Sequence, residues 1–284
     1  MSDNERASLQ TIGIIYREQS EDAAKLARTI QSMVKDTGRE AWSVNRDDDA
    51  QMHERLVGTD AVLVLGGDGT ILSVARVCAP LHVPILGVNF GRVGFLTELE
   101  PSEVAEKLPL YLDGDYWVDE RSMLQAEVGG DGGYKRFIAL NDIVLVRGAE
   151  PRVIRLKVWI DGHLYNTTVA DGIIVSTATG STAYNLSAGG PILHPQVRSC
   201  VITPLAPHLA ADRSLILEPS AVVTIDVEPD SAPAVLSADG QLNLDIPIGT
   251  RVTIHANAHL TKFLRRRPPT YFYRILSAKL RDNL

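Results

Sequence analysis

Apolar residues follow two different rhythms along this chain, and the change comes near residue 116. Before it, short unbroken apolar runs alternate with helical patterns. Thr11–Tyr16, Ala61–Leu65 and Pro84–Val88 read as strands buried on both faces. Ser20 is placed to cap a helix whose apolar stripe runs Ala23, Leu26, Ile30, Met33 and closes at Gly38. A second helical pattern starts at Thr70, and Ser102 is placed to cap another running towards Leu112. Strand and helix in alternation predict an α/β domain with a mostly parallel sheet.

After Tyr116 the stretches Ile138–Val146, Val153–Ile160, Leu164–Val169, Val222–Val227 and Arg251–His255 are rich in β-formers. Asp161-Gly162 separates two such runs. Asp239-Gly240 separates Ala234–Ala238 from Gln241–Ile246, and both dipeptides suit tight hairpins. This part predicts a β-rich, sandwich-like domain of antiparallel strands. The amphipathic stretch Thr270–Leu280 predicts a helix that returns to the first domain. The expected division is 1–115, 116–262, and a C-terminal segment, 263–284, packing back on the first domain.

Composition narrows the function. Apolar residues make up 45% and charged residues 22%, which is ordinary globular composition. The net charge of -7 argues against a nucleic-acid partner, whose phosphates would be repelled. No apolar stretch approaches the ~20 residues that span a bilayer, and Met1–Gln10 is polar and charged rather than a secretory signal. The two cysteines, Cys78 and Cys200, are too few for a disulfide framework and wrongly spaced for zinc. A reducing, cytoplasmic location is the simplest expectation.

The sharpest chemical signal is Gly66-Gly67-Asp68-Gly69-Thr70, between an apolar strand and a helix. Glycines let backbone amides approach an anion, and a helix N-terminus adds unpaired N–H groups. A carboxylate in such a loop repels phosphate, so it makes chemical sense facing the hydroxyl that is to be phosphorylated. The same residues also fit a tight turn in which Asp68 only caps the helix. Asn89 to Leu96 follows the next strand, and its Phe95 offers a flat face for a base or ribose, or else a core side chain. Asn141-Asp142 interrupts the apolar run Phe137–Val146; it can read an adenine edge and ribose hydroxyls, or mark a bulge. Asp171-Gly172 precedes a strand, Ile173–Ser176, and a loop from Thr177 to Asn185 whose hydroxyls and Tyr184 can wrap a polar ligand or simply cap a helix. His255 and His259 read as structural, and Arg265 to Arg267 as a solvated turn or a subunit contact.

Taken in order, these blocks resemble the NAD kinase family from about Thr11 to Leu280. The Gly-Gly-Asp-Gly-Thr block alone is shared with diacylglycerol and sphingosine kinases; its combination with Asn141-Asp142 and Ser176–Tyr184 is far more specific. The resemblance implies that Asp68 is the catalytic carboxylate and that Gly69 lies against the substrate. It implies that Phe95, Asn141 and Asp142 contact adenosine. Arg152, Asp171, Thr182, Ala183, Tyr184, Asn185, Leu186, Ser187, Ala206 and Gln241 match further NAD-binding positions. Ala178 stands where the family usually has proline, and Val169 where a basic residue is frequent.

The implied reaction moves the γ-phosphate of ATP, or a phosphate of polyphosphate, to the 2′-hydroxyl of the adenosine ribose of NAD. The loop of Gly66, Gly67, Gly69 and Thr70 would cradle the donor phosphates, with Mg²⁺ carried on the nucleotide and no metal cage in the protein. The family's habit also implies a homodimer or homotetramer. Two rivals are a lipid kinase sharing the Gly-Gly-Asp-Gly-Thr loop, which lacks a basic amphipathic helix or lipid anchor here, and a non-catalytic NAD(P) sensor.

Overall fold

The computed structural model describes residues 8–91, 94–130, 133–149, 152–208 and 213–282. Its first unit is built from β1 (Thr11–Tyr16), α1 (Glu21–Asp36), β2 (Glu40–Asn45), α2 (Asp49–Leu56), β3 (Ala61–Gly66), α3 (Asp68–Cys78), β4 (Ile85–Asn89), α4 (Val104–Leu112) and β5 (Trp117–Arg121). The three unbroken apolar runs are indeed strands, and in β3 and β4 every residue is buried. They lie at the centre of a six-stranded sheet of order β2-β1-β3-β4, followed by a strand from the chain's C-terminal part and then β5. The pairings β1–β2, β1–β3 and β3–β4 are parallel.

Ser20 caps α1 as its position suggests, its hydroxyl accepting from the Ala23 amide at 3.3 Å. The buried stripe differs from the expected one: it runs Ala23, Ala27, Ile30, Val34, with Leu26 and Met33 half-buried. Small Ala27 brings the helix close to the sheet, and the longer side chains fall to the flanks. Ser102 is not a cap. Glu100 and Glu103 form a reciprocal capping box one turn earlier, and a short 3₁₀ turn leads into α4.

The second unit spans Arg121–Leu260. Its strands are β6 (Leu124–Gly130), β7 (Gly133–Ala139), β8 (Asp142–Arg147), β9 (Ile154–Ile160), β10 (His163–Ala170), β11 (Gly172–Thr177), β12 (Cys200–Leu205), β13 (Leu215–Leu217), β14 (Val223–Val227), β15 (Ala234–Ala238), β16 (Leu242–Ile246) and β17 (Arg251–Ala256). A short helix, α5 (Tyr184–Ser187), follows β11. Two antiparallel sheets result, β10-β9-β14-β17-β6-β7 and β13-β12-β11-β8-β15-β16. Their facing side chains, among them Ala126, Ile154, Val158 and Ile254 from one and Ile143, Leu145, Val175 and Leu236 from the other, make one shared core.

Both Asp-Gly dipeptides turn hairpins. Asp161 and Gly162 have φ of 49° and 77°, Asp239 and Gly240 of 53° and 65°, the left-handed pair that a type I′ turn requires. Phe137–Val146 is not one strand. The chain leaves one sheet at Ala139 and enters the other at Asp142, so Asn141-Asp142 marks the crossing.

The chain then returns to the first unit, which takes in Thr261–Leu284. There β18 (Thr261–Arg265) pairs with β4 in parallel, and α6 (Tyr271–Asp282) follows. The arginine run is not a solvated turn. Arg265 is buried, pairing with Glu98 at 3.3 Å and Asp119 at 3.5 Å, while Arg266 bonds Asp115 at 2.7 Å. Carboxylates from three segments wait in this unit for the run that sequence alone shows as surplus charge. Among the described residues no helix is long and apolar enough to cross a membrane.

Candidate functional site

In the first unit the glycine loop ends β3 and opens α3, with Gly67 as the helix N-cap and no side-chain cap bond. Asp68 therefore does not cap its own helix. Its carboxylate instead accepts from the backbone N–H of Phe95 at 2.9 Å and of Leu96 at 3.0 Å. Glycine at 94 is required for this approach, because a Cβ there would overlap the carboxylate. Gly66 is tight against Thr70, whose side chain is buried beneath the loop, whereas a Cβ on Gly67 would meet open space. Gly69 is exposed in the first turn of α3.

Two backbone donors pin Asp68 without exhausting it. A carboxylate has about four acceptor positions, and Asp68 is only half-buried. The arrangement fixes the direction of the oxygens and leaves capacity for a hydroxyl donor. Sequence reasoning missed this clasp, because Asp68 and Phe95 are 27 residues apart. Of the predicted loop, Arg92 and Val93 lie outside the described residues. The Phe95 ring is half-buried, 5.9 Å from the Phe272 ring and beneath the Lys279 ammonium at 5.3 Å, both on α6.

In the second unit three of the predicted blocks meet at one end of the central strands of a sheet, because β8 begins where β11 and β15 end. Ser176 pairs with Asp142, and Ala238 with Ile143. Asp239 accepts from the amides of Leu140, Asn141 and Asp142 at 3.1, 2.7 and 3.3 Å. Thr177 donates its hydroxyl to the Leu140 carbonyl at 2.6 Å and its amide to the Asn141 carbonyl at 2.8 Å. Gly180 packs so closely there that a Cβ would overlap the Asn141 carbonyl. Asp142 is buried, and burial first, then the charge of Asp239, pushes its carboxyl up to about 7.

A cavity of about 630 Å³ opens in the same unit, within the usual range for small-molecule sites. It brings together four predicted residues, Asp171, Tyr184, Ser187 and Ala206. Ala206 holds a φ of 44°, a conformation alanine adopts at a cost of about 1 kcal/mol or more. Arg147 also lines the cavity and meets Asp171 at 3.1 Å; sequence reasoning did not single it out. Its signal was there, a lone cation ending an apolar strand.

The remaining predicted residues lie elsewhere in this unit. Asn185 is fully buried, donating to the Ser181 and Pro191 carbonyls and accepting from Thr203, so it frames the loop. Thr182, Ala183 and Leu186 are half-buried around it, in the turn and short helix that carry Tyr184. Arg152 and Gln241 are exposed and are not among the residues lining the cavity. Among the described residues no group of three or more His, Cys, Asp or Glu is placed to hold a metal ion.

Two family models match this chain in succession. A family model described as the ATP-NAD kinase N-terminal domain matches residues 40–116, and one described as the ATP-NAD kinase C-terminal domain matches 140–266. A protein named NAD kinase from Dehalococcoides mccartyi is 40% identical over 274 residues, covering 96% of each chain. Another from Syntrophotalea carbinolica is 38% identical over 283 residues, 96% of this chain and 98% of its own. Among solved structures, an NAD kinase from Archaeoglobus fulgidus in complex with ATP has a TM-score of 0.77 at 25% identity, covering 96% of this chain and 99% of that one. Yeast NADH kinase complexed with NADH shares the fold, with a TM-score of 0.81 at 24% identity over 96% of this chain and 90% of that one.

Proposed function

The chain belongs to the NAD kinase family, phosphotransferases with an alcohol acceptor, and on that premise we propose that it phosphorylates the 2′-hydroxyl of the adenosine ribose of NAD, with Asp68 directing the transfer. The observation that carries the role of Asp68 is its clasp: a half-buried carboxylate at the glycine loop, aimed by two backbone amides.

Phosphoryl transfer proceeds through a loose transition state in which positioning and charge stabilisation dominate. Asp68 accepts a hydrogen bond from the 2′-hydroxyl and takes its proton as the ribose oxygen bonds to the γ-phosphorus. The bond from that phosphorus to the β-phosphate oxygen breaks, and ADP leaves. Gly66, Gly67, Gly69 and Thr70 form the donor-phosphate loop, where the α3 N-terminus favours negative charge. Mg²⁺ enters as part of the substrate, on the donor's phosphates, which suits an ion that keeps several waters and needs few protein ligands. Phe95 serves the adenosine, which requires its ring to trade contacts with Phe272. Asn141, Asp142, Asp171, Thr182 to Ser187, Ala206, Gln241 and Arg152 are the dinucleotide-recognition set. Polyphosphate is the alternative donor. The enzyme works in the cytoplasm as a homodimer or homotetramer.

The test is a coupled assay with NAD, ATP and Mg²⁺, detecting NADP with an NADP-specific dehydrogenase. Asp68→Asn should lose roughly 10²–10⁴ in rate, a typical general-base contribution. Equal turnover in the variant removes Asp68 from the chemistry. No product from the wild type with ATP or polyphosphate, together with calorimetric binding of NAD, would make the protein a sensor.

A further inference from the structure

The cavity of the second unit carries a residue that the proposed reaction has not yet used. Arg147 ends β8, and its place is fixed twice over. Its backbone N–H donates to the Asp171 carbonyl at 2.9 Å, and its Nε meets the Asp171 carboxylate at 3.1 Å. The guanidinium is thus aimed at the wall that Asp171, Tyr184, Ser187 and Ala206 complete.

Stability does not explain the pair. The two side chains are 35% and 44% exposed, and an ion pair so open to water is worth little. Exchange of partner is correspondingly cheap. A guanidinium presents five N–H donors in a planar fork that matches phosphate oxygens. The chain as a whole is anionic, with a net charge of -7. A ligand carrying phosphates therefore needs local positive charge, and Arg147 is the cation among the described residues lining this cavity.

We propose that Arg147 binds the phosphate-bearing stretch of the dinucleotide, with Asp171 holding the guanidinium in place until that anion arrives. The proposal rests on the NAD kinase reading above and adds a specificity-determining residue to it.

The experiment compares wild type with Arg147→Ala and Arg147→Lys, by NAD kinetics and by calorimetry with NAD and with adenosine. Arg147→Ala should raise KM for NAD about tenfold or more, with the loss falling on KM rather than kcat. Arg147→Lys should recover part of it, since a point charge replaces a fork. Adenosine, which has no phosphate, should bind both variants as it binds wild type. An unchanged KM and NAD affinity in Arg147→Ala overturns the proposal. A parallel loss of adenosine affinity also overturns it, because that is the signature of an arginine that only orders Asp171. If wild type makes no NADP, the kinase reading fails, while NAD calorimetry still decides the role of Arg147.

Discussion

Asp68 in the first unit and Asp239 in the second perform the same backbone task under different exposure. Each sits in a tight loop and gathers amides from a distant segment: two at Phe95–Leu96 for Asp68, three at Leu140–Asp142 for Asp239. Asp239 is 9% exposed and pressed against a second carboxyl, Asp142. Asp68 is half-buried at the open end of a helix. A carboxylate that gives most of its acceptor capacity to buried amides is architecture. One held by two amides and open on its remaining side keeps its aim and can still take a proton. Exposure and spare lone pairs, more than residue type or motif, separate the aspartate proposed for the chemistry from the one that joins the strand ends.

The comparison breaks most visibly at Asp239. Asp239→Ala leaves three amides without this acceptor, two of them buried, and an unsatisfied buried donor costs about 1–3 kcal/mol. Relief of the repulsion on Asp142 offsets part of this. The expected net loss is about 3 kcal/mol in urea unfolding, a large share of a typical 5–15 kcal/mol. A change below about 1 kcal/mol would mean that water or other groups replace the carboxylate, and the architectural role would fall.

Gly94→Ala sharpens the other half, because it disturbs Asp68 without altering a single reacting atom. The new Cβ would overlap the carboxylate, so either the loop or Asp68 must shift. A misplacement of about 1 Å can cost on the order of a hundredfold. We expect kcat to fall about ten- to hundredfold while the melting temperature moves by only a few degrees, since the overlap is with the end of one half-buried side chain. Unimpaired kcat would show that Asp68 needs no clasp.

One of the candidate segments stands out in sequence because it interrupts an apolar pattern. Asn141-Asp142 breaks a run that would otherwise be one strand, and the break is a crossing between sheets. The hairpins at Asp161-Gly162 and Asp239-Gly240 were legible because few residues tolerate two successive positive φ values. Strand β2 and helix α2 went unread, since Glu40–Asn45 is short, buries only Trp42 and Val44, and has no long apolar run. Tertiary partnerships were hidden as well. Nothing local ties Asp68 to Leu96, Arg147 to Asp171, or Arg265 to Glu98 and Asp119. Each of those pairs is joined only when strands far apart in sequence become neighbours.

The smallest effect tests the carboxyl pair itself. Asp142 titrates near 3.8 in the unfolded chain and near 7 in the folded protein, raised first by burial and then by the charge of Asp239. Between those values the unfolded chain has released the proton and the folded protein retains it. The unfolded state therefore binds fewer protons, and this group makes stability fall as pH rises from about 4 to about 7, after which its slope vanishes. Asp142→Asn removes that titration. Measured without nucleotide, its stability relative to wild type should rise across this window and level off above about pH 7, by roughly 1–2 kcal/mol. That is well short of the full conversion of about 1.36 kcal/mol per pH unit, because the two carboxyls relax together. Repeating the titration in an Asp239→Ala background should narrow the window, since the neighbouring charge is gone and burial alone remains. A difference that stays flat from about pH 4 to pH 8 would mean that Asp142 is ionised throughout, and the junction would then hold two charges where one proton was expected.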